Sequence, residues 1–294
     1  MRTGFACLLL AWGVTPAALA QPAGDAIDVS TRDAEHVASL SGEKGASATA
    51  GRVTVYVPAG AMSSAEIQAL AERLNRGFDA LVALTRSPRP WQRVPATVTY
   101  YFHTELFISH ADPQNDRLFI AFPRLQNGQA PVLHEAAHVL LFPSPSYIAV
   151  HPELFEANGE GSTWLGEGIA SYVAFSAAKQ ASVTEGDPFG RDDLGTVDSN
   201  CAKALPTPVG AEVLPFIGAE GEPAALLSHA RRLEVAPPFY SCATSFTKFL
   251  VGAVGIEAVL DSLVELHSEP AIAKAAGKSM DALRAEWRAR IGAE

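Results

Sequence analysis

Strand-like segments come early in this chain and helical segments come late. That order narrows the fold more than any other feature. "RVTVYVP" at 52–58 alternates apolar and polar residues and stops at a proline, as a half-buried strand does. "PATVTYYF" at 95–102 and "DRLFIAFP" at 116–123 are β-branched or aromatic, the residues that suit a pleated surface. Between the first two, Ile67, Leu70, Leu74, Phe78, Leu81 and Val82 recur at helical spacing, with Ser63 or Ser64 as the cap. From 222 onward the segments read as helices: "EPAALLSHARRL", "YSCATSFTKFLVGAVG", "IEAVLDSLVEL" and "SMDALRAEWRARI". Gly, Pro and Asp dominate 185–215, where no regular element is expected. The expected class is α+β, a small mixed sheet packed on helices and followed by a mostly helical C-terminal half.

The N-terminus reads as an export signal. Arg2 is its positive region, "GFACLLLAWGV" its apolar run, and "ALA" at 18–20 its small-residue cleavage site. The run is too short to span a bilayer, and no later segment has the length of a membrane helix. Residues 1–20 are thus expected to be a signal peptide. Residues 21–50, rich in Ala, Ser, Gly and acids, are expected to be a flexible leader. Residues 51–294 form the domain, with sheet and metal-binding helices over 51–180 and a helical subdomain over 181–294. The formal net charge of −10 argues against nucleic acid as a partner. Export also bears on the cysteines. Cleavage leaves Cys201 and Cys242, an even pair in an oxidising compartment, so a disulfide is expected. The periplasm of a bacterium and the outside of a cell both fit.

The chemistry lies in "PVLHEAAHVL" at 131–140, an apolar helical run carrying His134, Glu135 and His138. Helix residues four apart share a face, so His134 and His138 can aim imidazole nitrogens at one point. Neutral imidazole is a good zinc ligand, and Glu135 can reach a water on the metal and take its proton. A catalytic site of this kind needs a third protein ligand and an open position. Ser144 stands six residues after His138, which excludes the class with a third histidine there. His151, Glu153, Glu156 and Glu160 lie in a Pro-rich loop. Glu167 lies in the next helix, "STWLGEGIASYVAFSAAK", where a ligand is held more rigidly. Gly166 and Gly168 flank it and let another backbone approach.

"HEAAHVL" followed by "TWLGEGIASYVAF" resembles the gluzincin zinc peptidases, in which H-E-x-x-H on one helix is completed by a glutamate on the next. The resemblance covers roughly 95–294 and is strongest at these two helices. It implies that His134, His138 and Glu167 hold Zn2+, that Glu135 is the general base, and that a peptide or protein is the substrate. It also implies a Tyr or His donor from the helical half for the developing oxyanion. Tyr240, expected to open a helix beside Cys242, is the candidate, and Tyr172 the runner-up. Many gluzincins carry Asn or Asp where this chain has Gly166, and no amine-binding signature of aminopeptidases is present. "DRLFIAFP" can serve as an edge strand for an extended peptide or as a fully paired strand. Trp164 is read as packing beside the Glu167 helix. Two other functions fit these residues: a non-catalytic binding module on a peptidase fold, and a zinc hydrolase of a non-peptide bond.

Overall fold

The structure is a computed structural model that describes residues 29–85, 89–105, 109–151, 163–186, 193–219, 232–264 and 268–293. The expected signal peptide, the loop carboxylates Glu153, Glu156 and Glu160, and residues 222–231 of the helix expected at 222–233 lie outside the described residues.

A mixed five-stranded sheet forms the first half. Its strands are β1 (Gly45–Ala50), β2 (Val53–Pro58), β3 (Val98–His103), β4 (His110–Asp112) and β5 (Arg117–Ala121), in the spatial order β1-β2-β3-β5-β4. β2, β3 and β5 run parallel, and β1 and β4 flank them antiparallel. Alternation along the strands sorts the side chains. Val55, Tyr100, Phe102, Leu118 and Ile120 are fully buried in the main core. Across that face lies α2 (Ser64–Thr85), which buries Ile67, Leu70, Leu74, Phe78, Leu81 and Val82 as their spacing predicts. Ser63 is its cap: Ser63 N–H donates to Glu66 Oε2 at 2.7 Å, and Glu66 N–H donates to Ser63 Oγ at 3.3 Å, a reciprocal capping box.

The leader expected over 21–50 is structured from residue 29. Helix α1 (Val29–Ser41) covers the second face of the sheet, where Leu40 and Val37 pack against Tyr101, Phe119, Ala121 and Tyr56. Its inward stripe is Asp33, His36, Val37 and Leu40, at helical spacing but half polar, so its hydrophobic signal is faint. The polar members find polar partners. Asp33 pairs with His110 Nε2 at 3.0 Å, and the His36 ring stacks on His103 with centroids 4.0 Å apart. β1, "GASATA", escaped notice because it is built of small residues. It turns into β2 through Gly51, whose φ of 54° favours glycine.

β5 is interior, paired with β3 on one side and β4 on the other, so "DRLFIAFP" is a paired strand. The edge next to it is β4, too short and too polar to register as a strand in the sequence, and the other edge is β1.

The second half is largely helical among the described residues, as the order of segments predicts. After α3 (Phe122–Gln126), α4 (Val132–Leu141) and α5 (Pro145–Val150) comes α6 (Thr163–Ala181). Two short helices, α7 (Val197–Ala204) and α8 (Pro208–Val213), occupy the stretch where no element is expected. α9 (Arg232–Val254) is the central strut, followed by α10 (Ile256–Asp261), α11 (Ser268–Ala276) and α12 (Met280–Ile291). α9 begins eight residues before Tyr240, so Tyr240 does not open the helix. Pro237 and Pro238 hide the true start, because prolines inside a helix read as a break. Cys201 and Cys242 are joined, tying α7 to α9 across 41 residues. Such a bond fits an oxidising compartment. No described helix is long and apolar enough to cross a membrane.

Candidate metal centre

α4 is an apolar helix that brings two imidazoles inside. Leu133, Ala136, Ala137 and Leu140 are fully buried, and they hold the helix against α2 and α6. The N-terminus of α4 starts at Pro131 with no side-chain cap of its own. Its orphan amides are satisfied from a distance. Glu185, four residues past the end of α6, accepts from Leu133 N–H at 2.8 Å and from His134 N–H at 2.9 Å. A carboxylate at a helix N-terminus also complements the helix dipole.

His134 and His138 converge as their four-residue spacing predicts, and Glu167 joins them from α6. His134 Nε2 and His138 Nε2 are 3.1 Å apart. Glu167 Oε2 lies 3.2 Å from the first and 3.4 Å from the second. Ligand atoms about 2.0–2.1 Å from a tetrahedral zinc are separated by about 3.3–3.4 Å. The three atoms therefore match one face of such a tetrahedron. Glu167 Oε2 is buried, with no hydrogen bond of standard geometry. A buried oxygen without a donor is rare, and a cation at the shared point would satisfy it. The side chains of His138 and Glu167 keep 16% and 17% of their surface exposed, so the triangle is open to solvent on one side. The donor set, two imidazoles and one carboxylate with an open position, fits a catalytic zinc.

The ring of His134 is oriented from α6. His134 Nδ1 lies 3.1 Å from Ser171 Oγ. With Nδ1–H donating to that hydroxyl, the Nε2 lone pair is left facing His138 and Glu167. Ser171 stands four residues after Glu167, so one face of α6 supplies both the carboxylate and the ring's support. α6 can lie this close because Gly168 faces α9. A Cβ there would meet Ala243 O at 2.5 Å and Thr247 Oγ1 at 2.4 Å. Gly166, by contrast, has nothing within 4 Å of its Cβ position, so only one of the two flanking glycines serves a close approach.

The electrostatics divide the carboxylates into two roles. Burial pushes Glu135 above its ordinary value, with Glu167 adding to the rise and the neighbouring imidazoles partly offsetting it. Burial also opposes ionisation of Glu167, but the imidazoles of His138 and His134 outweigh it and hold that carboxyl well below the usual range. Burial opposes a charge on His138 too, yet Glu167 and Glu135 overcome it and raise its pKa. The environment thus favours the charged form of Glu167 and makes Glu135, 7% exposed, the more basic of the two carboxylates.

Tyr240 lies on α9 with its ring centroid 6.0 Å from that of His134 and is 6% exposed. Tyr172, half-buried, packs against the apolar core. Trp164 is a core residue, 1% exposed, with its indole N–H donating to Glu269 Oε1 at 3.0 Å. His151 ends α5, its ring tilted against Tyr147, and is not among the converging groups. Sequence reasoning missed Ser171 and Glu185. Ser171 was within reach through its four-residue step from Glu167, whereas Glu185 acts across 51 residues and leaves no local signal. No family model matches the chain, and no curated protein or solved structure matches it either.

Proposed function

We propose that the chain is an exported zinc-dependent metallopeptidase of the gluzincin type, with a peptide or protein as its substrate. In this reading His134, His138 and Glu167 hold the zinc and Glu135 is the general base. The observation that carries it is the triangle of ligand atoms with sides of 3.1, 3.2 and 3.4 Å, formed beside a buried glutamate of raised pKa. A zinc ion held there lowers the pKa of a water toward about 7 and polarises a carbonyl.

The chain's own groups do the rest. Glu135 takes the proton of the attacking water as the amide carbonyl is attacked, and then delivers it to the leaving amine. Its raised pKa suits both duties, because a base that also returns its proton works best near the operating pH. With His134 Nδ1–H donating to its hydroxyl, Ser171 would hold His134 in the tautomer that offers Nε2. Glu185 fixes the first turn of α4, so both imidazoles share one rigid frame. Tyr240, beside His134, is the candidate donor to the developing oxyanion.

The test is Glu135→Gln in the zinc-loaded protein, assayed on a panel of unstructured protein and peptide substrates. The expected result is unchanged zinc content with hydrolysis reduced by at least about 100-fold, the scale of a lost general base. Full activity in this variant would rule out the assignment of Glu135.

A further inference from the structure

We propose that His36, His103 and Glu105 form a second metal site, specific for a zinc-like transition metal, which fastens α1 to the sheet. It lies on the face of the sheet covered by α1, away from the main core where α4 and α6 pack. It involves none of the residues of the first centre, and it does not rest on the peptidase reading.

His36 comes from α1, His103 closes β3, and Glu105 follows two residues later. One ligand atom from each lies within 4.8 Å of the other two. Bringing them to the spacing of about 3.3–3.4 Å that a tetrahedral metal needs asks for side-chain rotation. Glu105, the exposed member, is the arm with room to supply it. The two imidazoles are 8% and 9% exposed and stack at 4.0 Å on a face otherwise built of Leu40, Tyr101, Phe119 and Ala121. An aromatic pair would fill that space without bringing in polar nitrogens. Two imidazoles add what an aromatic pair lacks, lone pairs on adjacent rings. His103 already presents an unprotonated nitrogen, since its Nδ1 accepts from Glu105 N–H at 3.0 Å. A metal taking that lone pair replaces one local contact and gains the Glu105 carboxylate from the same turn.

The donor set selects the ion. Imidazole favours zinc, copper or nickel, whereas magnesium and calcium prefer all-oxygen shells. The consequence is mechanical. A metal here would cross-link α1 to β3 across 67 residues of chain, and α1 carries Asp33, which holds His110 on the edge strand β4.

The experiment is a zinc titration of the full mature chain, alone and as His138→Ala, His103→Gln and Glu105→Gln, followed by calorimetry and elemental analysis. Two equivalents are expected for the wild type, with one retained in His138→Ala and one in His103→Gln. Glu105→Gln replaces an exposed side chain, so the fold is not at risk, and it should weaken the second equivalent by about tenfold or more. In the His138→Ala background, zinc should also slow amide exchange in α1. A single equivalent lost in His138→Ala would overturn this site and leave the first standing. A single equivalent kept in His138→Ala and lost in His103→Gln would uphold this site and overturn the first. No zinc in any form would overturn both.

Discussion

Replacing Gly168 by Ala separates packing from propensity at the one point where the glutamate helix meets the central strut. A Cβ at this position would lie 2.5 Å from Ala243 O and 2.8 Å from Ala243 C. Both are backbone atoms of α9, so no rotamer change relieves them. Ordinary contact begins at 3.4 Å, so α6 and α9 must part by about 0.9 Å. Overpacking of this kind costs about 1–3 kcal/mol, and immovable backbone places this case in the upper half. The better helix propensity of Ala returns about 1 kcal/mol, leaving a net loss of about 1–2 kcal/mol. Gly166→Ala is the control on the same helix. Nothing lies within 4 Å of its Cβ, so only the propensity gain of about 0.5–1 kcal/mol remains. Urea denaturation reads both as shifts in midpoint at constant slope, Gly168→Ala downward and Gly166→Ala upward. Glu167 lies between the two positions, and metal ligands tolerate displacements of only about 0.2 Å, so Gly168→Ala should also weaken zinc binding. A Gly168→Ala protein as stable as the wild type, or two variants shifting the same way, would refute the close-approach argument.

Other expectations follow from the same structure. Changing Cys201 and Cys242 together to Ala releases a loop of 41 residues, and chain entropy sets the loss at about 4 kcal/mol; an unchanged denaturation midpoint would contradict it. Zinc uptake should expel a proton. In the metal-free protein the raised pKa of His138 contributes stability that is full below its unfolded value of about 6.5 and is lost as pH rises through the folded value. Zinc requires the neutral ring, so calorimetry at pH 6.5 in buffers of different ionisation enthalpy should report proton release on zinc binding. Equal binding enthalpies in all buffers at pH 6.5 would count against the His138–Glu167 pairing.

Local features of this chain were legible and remote ones were not. His134 and His138 declare themselves because helical spacing alone sets their common face, and Glu135 stands beside the first of them. Glu167 follows because a rigid helix close behind holds a ligand better than a Pro-rich loop. α2 and β2 carry clear periodicity, β3 and β5 are β-branched or aromatic, and each forms where its pattern predicts. α1 is different. Half of its inward stripe is Asp33 and His36, polar residues whose partners, His110 and His103, lie some 70 residues away. β4 has only three residues, and its identity as a strand comes from pairing with β5. Glu185 caps α4 from beyond the next long helix, an interaction with no sequence signature. The sequence points to Tyr240 at a helix start that α9 does not have, yet the same helix carries its ring centroid to 6.0 Å from that of His134.

The most direct test of the central claim is anomalous diffraction at the zinc edge from crystals of the zinc-loaded protein. The account predicts a peak about 2.0–2.2 Å from His134 Nε2, His138 Nε2 and a Glu167 carboxylate oxygen, with a fourth position facing solvent. Density for these three side chains with no anomalous peak between them, at saturating zinc, would contradict it.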